Sequence, residues 1–285
     1  MTPTSPDFSR RPELVSLAHV VRDLKAVAEP MGIAFFLMGA MARDLMLLYA
    51  HGIDTGRQTK DVDFSVMVRD WEAFSALRHG LMAGASFSER QGAANHRLRH
   101  AKTGLPLDML PFGRIEHADR TISWPPEHST VFNCLGMAEA FEASVSVSLP
   151  EGVALRVASI PALALLKVCA WQERKWTDPG KDAGDLLLYM REYLSCGQLD
   201  RATTHHKDLF EAEGYDYATA SAQLLGRDIA LLLDAKAKEH VLAILRPQAD
   251  EQGPLHLAGQ ASRNPEHARK LVAALCQGLA DNFGP

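Results

Sequence analysis

Asp61 and Asp63 stand two residues apart in the stretch RQTKDVDFSVMV, at the head of an apolar, β-branched run. In a strand, residues i and i+2 project to the same face, so the two carboxylates emerge side by side. Like charges at that spacing repel unless a cation lies between them. Hard divalent cations such as Mg2+ take oxygen ligands, commonly one or two carboxylates together with substrate phosphates. The pair therefore predicts a magnesium and nucleotide site. Asp108, between Leu107 and Met109, faces away from its two apolar neighbours if the segment is extended. Should that strand lie beside the one starting at Asp61, a third carboxylate joins the cluster. Three carboxylates with one or two Mg2+ ions and a nucleoside triphosphate suit metal-assisted phosphoryl or nucleotidyl transfer. Taken singly, a DxD or an apolar-Asp-apolar triplet is common by chance, so the argument rests on their order along the chain.

Periodicity predicts the elements that would carry these residues. Residues 13–29 have apolar positions at helical spacing (Leu14, Leu17, Val20, Val21, Leu24, Val27), and 33–38 read as a short buried strand ended by Gly39. A helix is expected over 40–50, a polar loop over 51–60, and a strand over 61–68. Asp70 reads as the N-cap of a helix reaching Leu81. Residues 96–101 and 105–110 read as a hairpin across Lys102-Thr103-Gly104, and 144–149 with 153–158 as two further strands. Beyond Ser159 the pattern is helical over 160–176, 181–194, segments within 199–245, and 266–281, with a polar loop over 246–265. The expectation is a mixed α and β N-terminal half followed by an all-helical C-terminal half.

Composition narrows the partners. The chain has 285 residues, 47% hydrophobic and 23% charged, with a formal net charge of −5. That profile is globular and gives no global electrostatic case for nucleic-acid binding. Arg90, Arg97, Arg99 and Lys102 form the one notable basic run; alternation puts Arg97 and Arg99 on one face, either as solvated strand charges or as contacts to phosphate. The four cysteines, Cys134, Cys169, Cys196 and Cys276, lack metal-ligand spacing and read as reduced thiols. The first residues lack the apolar core of a signal peptide, and no apolar run is long enough to span a bilayer. A cytoplasmic protein without membrane partners is expected.

The ordered set (apolar strand, glycine turn at Met38-Gly39-Ala40, helix, loop, DxDF on a second strand, then Asp108 on a hairpin) resembles the nucleotidyltransferase superfamily that includes DNA polymerase beta. Within it, the chain is similar to the AbiEii type of abortive-infection nucleotidyltransferase toxins. Gly39 and its helix carry the resemblance, with Arg57, Thr59, Asp61 and Asp63 in R-x-T-x-D-h-D-F, Lys167 in LLKVCAWQERKW, and Asp182 and Asp185 in KDAGDL.

The resemblance implies an α+β fold: a nucleotidyltransferase domain over 1–158, a mixed sheet flanked by helices, followed by a helical domain over 159–285. It implies Mg2+-dependent transfer of a nucleotide from a nucleoside triphosphate to a hydroxyl on RNA, transfer RNA among the candidates, or on a small molecule. A growth-inhibiting toxin with a cognate antitoxin protein is the corresponding role. By the same resemblance Asp61, Asp63 and Asp108 hold metal and act in catalysis, Asp182 acts as a base or in base recognition, and Gly39, Ala40, Arg57, Thr59, Lys167 and Asp185 bind substrate.

The residues alone leave other readings for some of these. Lys167 fits a snorkelling lysine as well as a phosphate grip. Asp182 and Asp185, one turn apart, fit first-turn acids favoured by the helix dipole. Trp171 and Trp176 read as packing groups rather than a base-stacking platform. One departure stands out: the superfamily usually follows the turn glycine with Gly or Ser, and here Gly39 is followed by Ala40. An antibiotic-type nucleotidyltransferase, or a non-catalytic member that binds a nucleotide or a partner, are the alternatives.

Overall fold

The computed structural model describes residues 5–56, 59, 61–89, 96–178, 180–211 and 215–281. The chain divides into two units, Met1–Ala50 with Asp54–Ser159, and His51–Ile53 with Ile160–Pro285.

The first unit holds all the strands among the described residues: β1 (Phe35–Met38), β2 (Val62–Met67), β3 (Phe87–Ser88), β4 (Arg97–His100), β5 (Pro106–Phe112), β6 (Thr121–Trp124), β7 (Thr130–Asn133), β8 (Val145–Leu149) and β9 (Val153–Val157). Seven form one sheet in the order β3-β4-β5-β2-β1-β9-β8, while β6 and β7 pair as a separate hairpin. The large sheet is mixed. β2 runs antiparallel to β1 and parallel to β5, and β1 runs parallel to β9. Its helices are α1 (Val15–Ala28), α2 (Gly39–Asp44), α3 (Trp71–Ala83) and α4 (Met137–Glu142).

Register divides the side chains between two faces. Phe35 and Phe64 stack edge to face on one side. On the other, Phe36, Phe112 and Phe141 pack together, and Met137 Sδ lies 3.5 Å from Ser65 Oγ, so α4 covers that part of the sheet. Cross-strand partners share a face. Phe36↔Ser65 and Met38↔Asp63 therefore put Asp63 on the α4 side, nearer the C-terminal end of β1.

Most predicted elements form within a few residues of the expected limits. Asp70 caps α3 by accepting a hydrogen bond from the Ala73 amide at 2.8 Å. The helix expected over 40–50 starts at Gly39 and passes at Leu45–Tyr49 into a π-helical turn. The β6–β7 hairpin and α4 have no counterpart in the periodicity. Each β6–β7 strand is four residues long and the connection holds Pro125-Pro126, so the pattern is too short to register as alternation.

The second unit is helical: α5 (Ile160–Arg174), α6 (Lys181–Glu192), α7 (Leu199–His205), α8 (Asp208–Glu211), α9 (Tyr217–Ala230), α10 (Ala235–Ala249), α11 (His256–Ala261) and α12 (Pro265–Ala280). The loop expected over 246–265 is corrected in two places. α10 continues through Pro247 to Ala249, because a proline in the last turn removes only one late backbone bond. α11 forms around buried Leu257 and Ala258, and Gln248 Oε1 accepts the Leu257 amide at 3.2 Å. No described helix is long and apolar enough to cross a membrane.

α9 and α12 cross at two glycines. A Cβ on Gly226 would fall 2.2 Å from the Leu275 carbonyl oxygen, and one on Gly278 would fall 2.0 Å from that of Gln223. Only a bare Cα allows that backbone approach. Gly278→Val should therefore lower the stability of this unit by at least about 1–3 kcal/mol, the usual range for overpacking. A urea or thermal melt indistinguishable from wild type would show that the helices simply move apart.

Candidate active site

Strand pairing brings together what the sequence kept apart. In the parallel β2–β5 ladder Asp63 lies opposite Asp108, and in the antiparallel β4–β5 ladder Arg97 lies opposite the same Asp108. Three neighbouring strands thus set Asp63, Asp108 and Arg97 in a row on one face. Asp61, two residues before Asp63, has Oδ1 bonded by the Thr59 hydroxyl at 3.0 Å.

Arg97 is the charge partner of Asp108 on this face. Its Nε and Nη2 donate to the two Asp108 carboxylate oxygens at 2.6 and 2.5 Å, a bidentate pair. Its pKa is raised by that hydrogen-bonded pair first, and further by the charges of Asp61 and Asp63. The neighbouring His96 is pushed below its ordinary pKa by burial, against the pull of Asp108. Asp108 is buried, while the Arg97 side chain is 46% exposed.

Gly39 explains why a glycine ends β1. It sits at φ +70°, and a Cβ there would lie 2.1 Å from Asp63 Oδ2. The Asp63 carboxylate therefore rests directly over the strand-to-helix turn. Behind the turn, Arg43 is fully buried and bonds Asp44 Oδ1 through Nε and Nη2 at 3.0 and 2.7 Å. Thr55 Oγ1 donates to the same oxygen at 2.9 Å, anchoring the start of the loop that leads to Asp61. Nothing in the sequence marks this pair, since adjacent helical residues do not ordinarily face each other.

The donor chemistry of Asp61 and Asp63 fits a hard divalent cation. As the side chains stand, no group of three or more His, Cys, Asp or Glu among the described residues is arranged to hold a metal. Both Asp108 oxygens are turned onto Arg97, so the three-carboxylate cluster expected from sequence is a pair of carboxylates beside an arginine–carboxylate pair. Ala40 follows Gly39 in α2, and Arg57 lies outside the described residues, as does Arg90.

In the second unit Lys167, Asp182 and Asp185 do come together. The Lys167 ammonium lies 2.9 Å from Asp182 Oδ1 and 2.8 Å from Asp185 Oδ2, and all three residues are buried. Arg174, which the sequence reading passed over, donates Nη2 to both Asp182 oxygens at 2.9 and 2.8 Å. Neither the snorkelling lysine nor the pair of surface acids matches this geometry. Asp182 accepts from two cations, which makes it an anchor for both. The two tryptophans differ: Trp171 is buried and donates Nε1 to Gln260, while Trp176 is 66% exposed and packs edge to face on His256. All four cysteines are free thiols, and burial pushes Cys196 up to about 12.

A model of the family described as nucleotidyl transferase AbiEii toxin, type IV toxin–antitoxin system, matches residues 22–273. No curated protein matches the chain. Among solved structures, an antigenic nucleotidyltransferase-like protein from Paracoccidioides brasiliensis is 17% identical with a TM-score of 0.40, covering 69% of this chain and 91% of its own. The antibiotic-resistance factor ANT(2'')-Ia is 13% identical with a TM-score of 0.35, over 68% of this chain and 98% of its own. The Thermotoga maritima CCA-adding enzyme, solved with tRNA, is 11% identical with a TM-score of 0.27, over 94% and 81%.

Removing one member of a buried ion cluster strands its partners. Lys167→Ala should destabilise the second unit by about 3 kcal/mol in urea unfolding. A loss below about 1 kcal/mol, the range of exposed pairs, would mean that water already compensates Asp182 and Asp185.

Proposed function

Because the chain belongs to the AbiEii family of nucleotidyltransferase toxins, we propose that the Asp61–Asp63 face is its active site and that it transfers a nucleotide from a nucleoside triphosphate to a hydroxyl acceptor on RNA. The enzyme class follows from the membership: the chain is a nucleotidyltransferase. The observation that carries the assignment of the site is Asp63 lying over the Gly39 turn, two residues from Asp61 and opposite Asp108.

Asp61 and Asp63 would hold Mg2+, which when bound neutralises the triphosphate and lowers the pKa of the attacking hydroxyl. Thr59 orients Asp61 through its hydroxyl, and Gly39 leaves room for the Asp63 carboxylate over the turn. Ala40 offers its backbone in place of the hydroxyl that a serine would supply. Lys167 and Asp185 are assigned to substrate binding, together with Arg57; Asp182 serves by orienting Lys167 and Arg174. The toxin role and a cognate antitoxin are supported by the family description, while the RNA acceptor, with transfer RNA the first candidate, and a cytoplasmic location are carried over from the reading of the sequence. A protein that modifies RNA and arrests growth requires such a neutralising partner in its own cell.

Label transfer from each α-phosphate-labelled nucleoside triphosphate with Mg2+ tests the reading, using total RNA as acceptor. Label should enter RNA with wild type and fall by about 1,000-fold or more with Asp61→Ala or Asp63→Ala, as for loss of a group that stabilises transition-state charge. Gly39→Ala should lose activity comparably while keeping its melting temperature within a few degrees. Transfer to small molecules alone would move the acceptor class to the antibiotic type. Retention of RNA labelling in both aspartate variants would remove the assigned site.

A further inference from the structure

We propose that Trp176 is a stacking platform for an unpaired base of the RNA acceptor, with Lys175 and Arg174 beside it to meet the adjoining phosphates. This inference rests on the reading of the acceptor as RNA, and it adds a place where the second unit would hold that RNA.

Exposure is the first support. Tryptophan is usually well covered, yet Trp176 is 66% exposed, the most of any large hydrophobic side chain among the described residues. Its expected role as a packing group accounts for the edge-to-face contact with His256, ring centroids 4.8 Å apart, and leaves most of the indole open. The open ring is nevertheless held. Gln260 pins the segment behind it: its Oε1 accepts from Trp171 Nε1 and its Nε2 donates to the Lys175 carbonyl, each at 2.8 Å. The Thr177 and Asp178 amides both bond the Arg174 carbonyl, at 3.0 and 2.9 Å, closing a turn around Trp176. An aromatic surface that is open and already oriented loses little freedom when a base settles on it.

Charge is the second support. The Lys175 ammonium lies 5.1 Å from the Trp171 ring centroid and 5.7 Å from that of Trp176, within cation–π range of both. Its hydrogen-bond partner among the described residues is the neutral Gln172 amide oxygen at 2.9 Å. Arg174 is anchored through Nη2 on Asp182, while its Nε and Nη1 have no hydrogen-bond partner among the described residues and its side chain is 45% exposed. Asp182 also accepts from Lys167 at 2.9 Å, so the platform is joined to the cluster assigned to substrate binding. An aromatic ring flanked by cations suits single-stranded nucleic acid, because the ring takes any base on its π-face and the cations take the backbone. The contact is local, and so is compatible with a net charge of −5.

Binding without turnover reads this, with 5′-labelled transfer RNA in filter retention and with the indole fluorescence of the protein, both in the absence of nucleoside triphosphate. Trp176→Ala should weaken transfer RNA binding by about 10-fold or more, as for loss of one base-stacking contact. Trp176→Phe keeps a π-face and should stay within about 3-fold of wild type, while losing most of the fluorescence change that transfer RNA produces. A side chain this exposed can be exchanged without opening the core, and thermal melts of both variants check that they fold. Equal binding by wild type and Trp176→Ala would overturn the platform and leave the RNA acceptor standing. A fluorescence change with MgATP in place of transfer RNA, absent from Trp176→Phe, would assign the ring to the donor nucleotide and overturn the proposal. Wild type that retains no transfer RNA would remove the platform and the RNA acceptor together.

Discussion

Strand register at the centre of the sheet is the constraint from which the candidate chemistry derives. Met38, Asp63, Asp108 and Arg97 belong to β1, β2, β5 and β4, and they line up because each ladder pairs them one to one. Side chains alternate with period two, so a slip of one residue in any of these pairings would turn a carboxylate into the apolar face. The buried residues on the opposite side, Val62, Phe64, Leu107 and Leu98, fix the register against such slips. Hydrophobic burial on one face thus sets the geometry of charge on the other.

Much of this was legible in the chain, and what was missed has identifiable causes. The strand starting near Asp61, the hairpin leading to Asp108 and the N-cap at Asp70 follow from spacing and capping chemistry. The neighbourhood of Asp63 and Asp108 was conditional on strand order, which periodicity does not contain. Arg97 was visible as a charge on a strand, yet whether it faced solvent or a carboxylate depended on which strand lay beside it. Lys167, Asp182 and Asp185 were singled out by resemblance, but Arg174 closes their cluster from the far end of α5, seven positions after Lys167. The Arg43–Asp44 pair left no trace at all, because its contact arises from side-chain reach and burial rather than from spacing.

Two styles of charge management coexist in the molecule. The face of the first unit keeps its acids partly open and sets a half-exposed arginine among them. The second unit buries at least one member of each of these pairs: beyond the Lys167 cluster, buried Arg227 bonds Asp281 at 2.7 Å and pairs with Asp208, and Arg201 pairs with buried Asp228, which also accepts the Tyr193 hydroxyl at 2.5 Å. Buried pairs contribute little net stability, but each is costly to leave half-made, so they penalise alternative packings of the helices more than they favour the native one. Asp61 and Asp63, only half-buried, remain responsive to charge that arrives from outside.

The two threonines flanking the loop before β2 have a consequence for how this site can change. Thr55 ties the loop's beginning to Asp44, and Thr59 ties its end to Asp61. Each tether is a single hydroxyl group, and neither belongs to the apolar side of the sheet that fixes the strand register. Exchange of either threonine therefore redirects the entry of the chain into the acidic strand and leaves the packing that holds the strands together in place, so the approach to the carboxylates can change independently of the core.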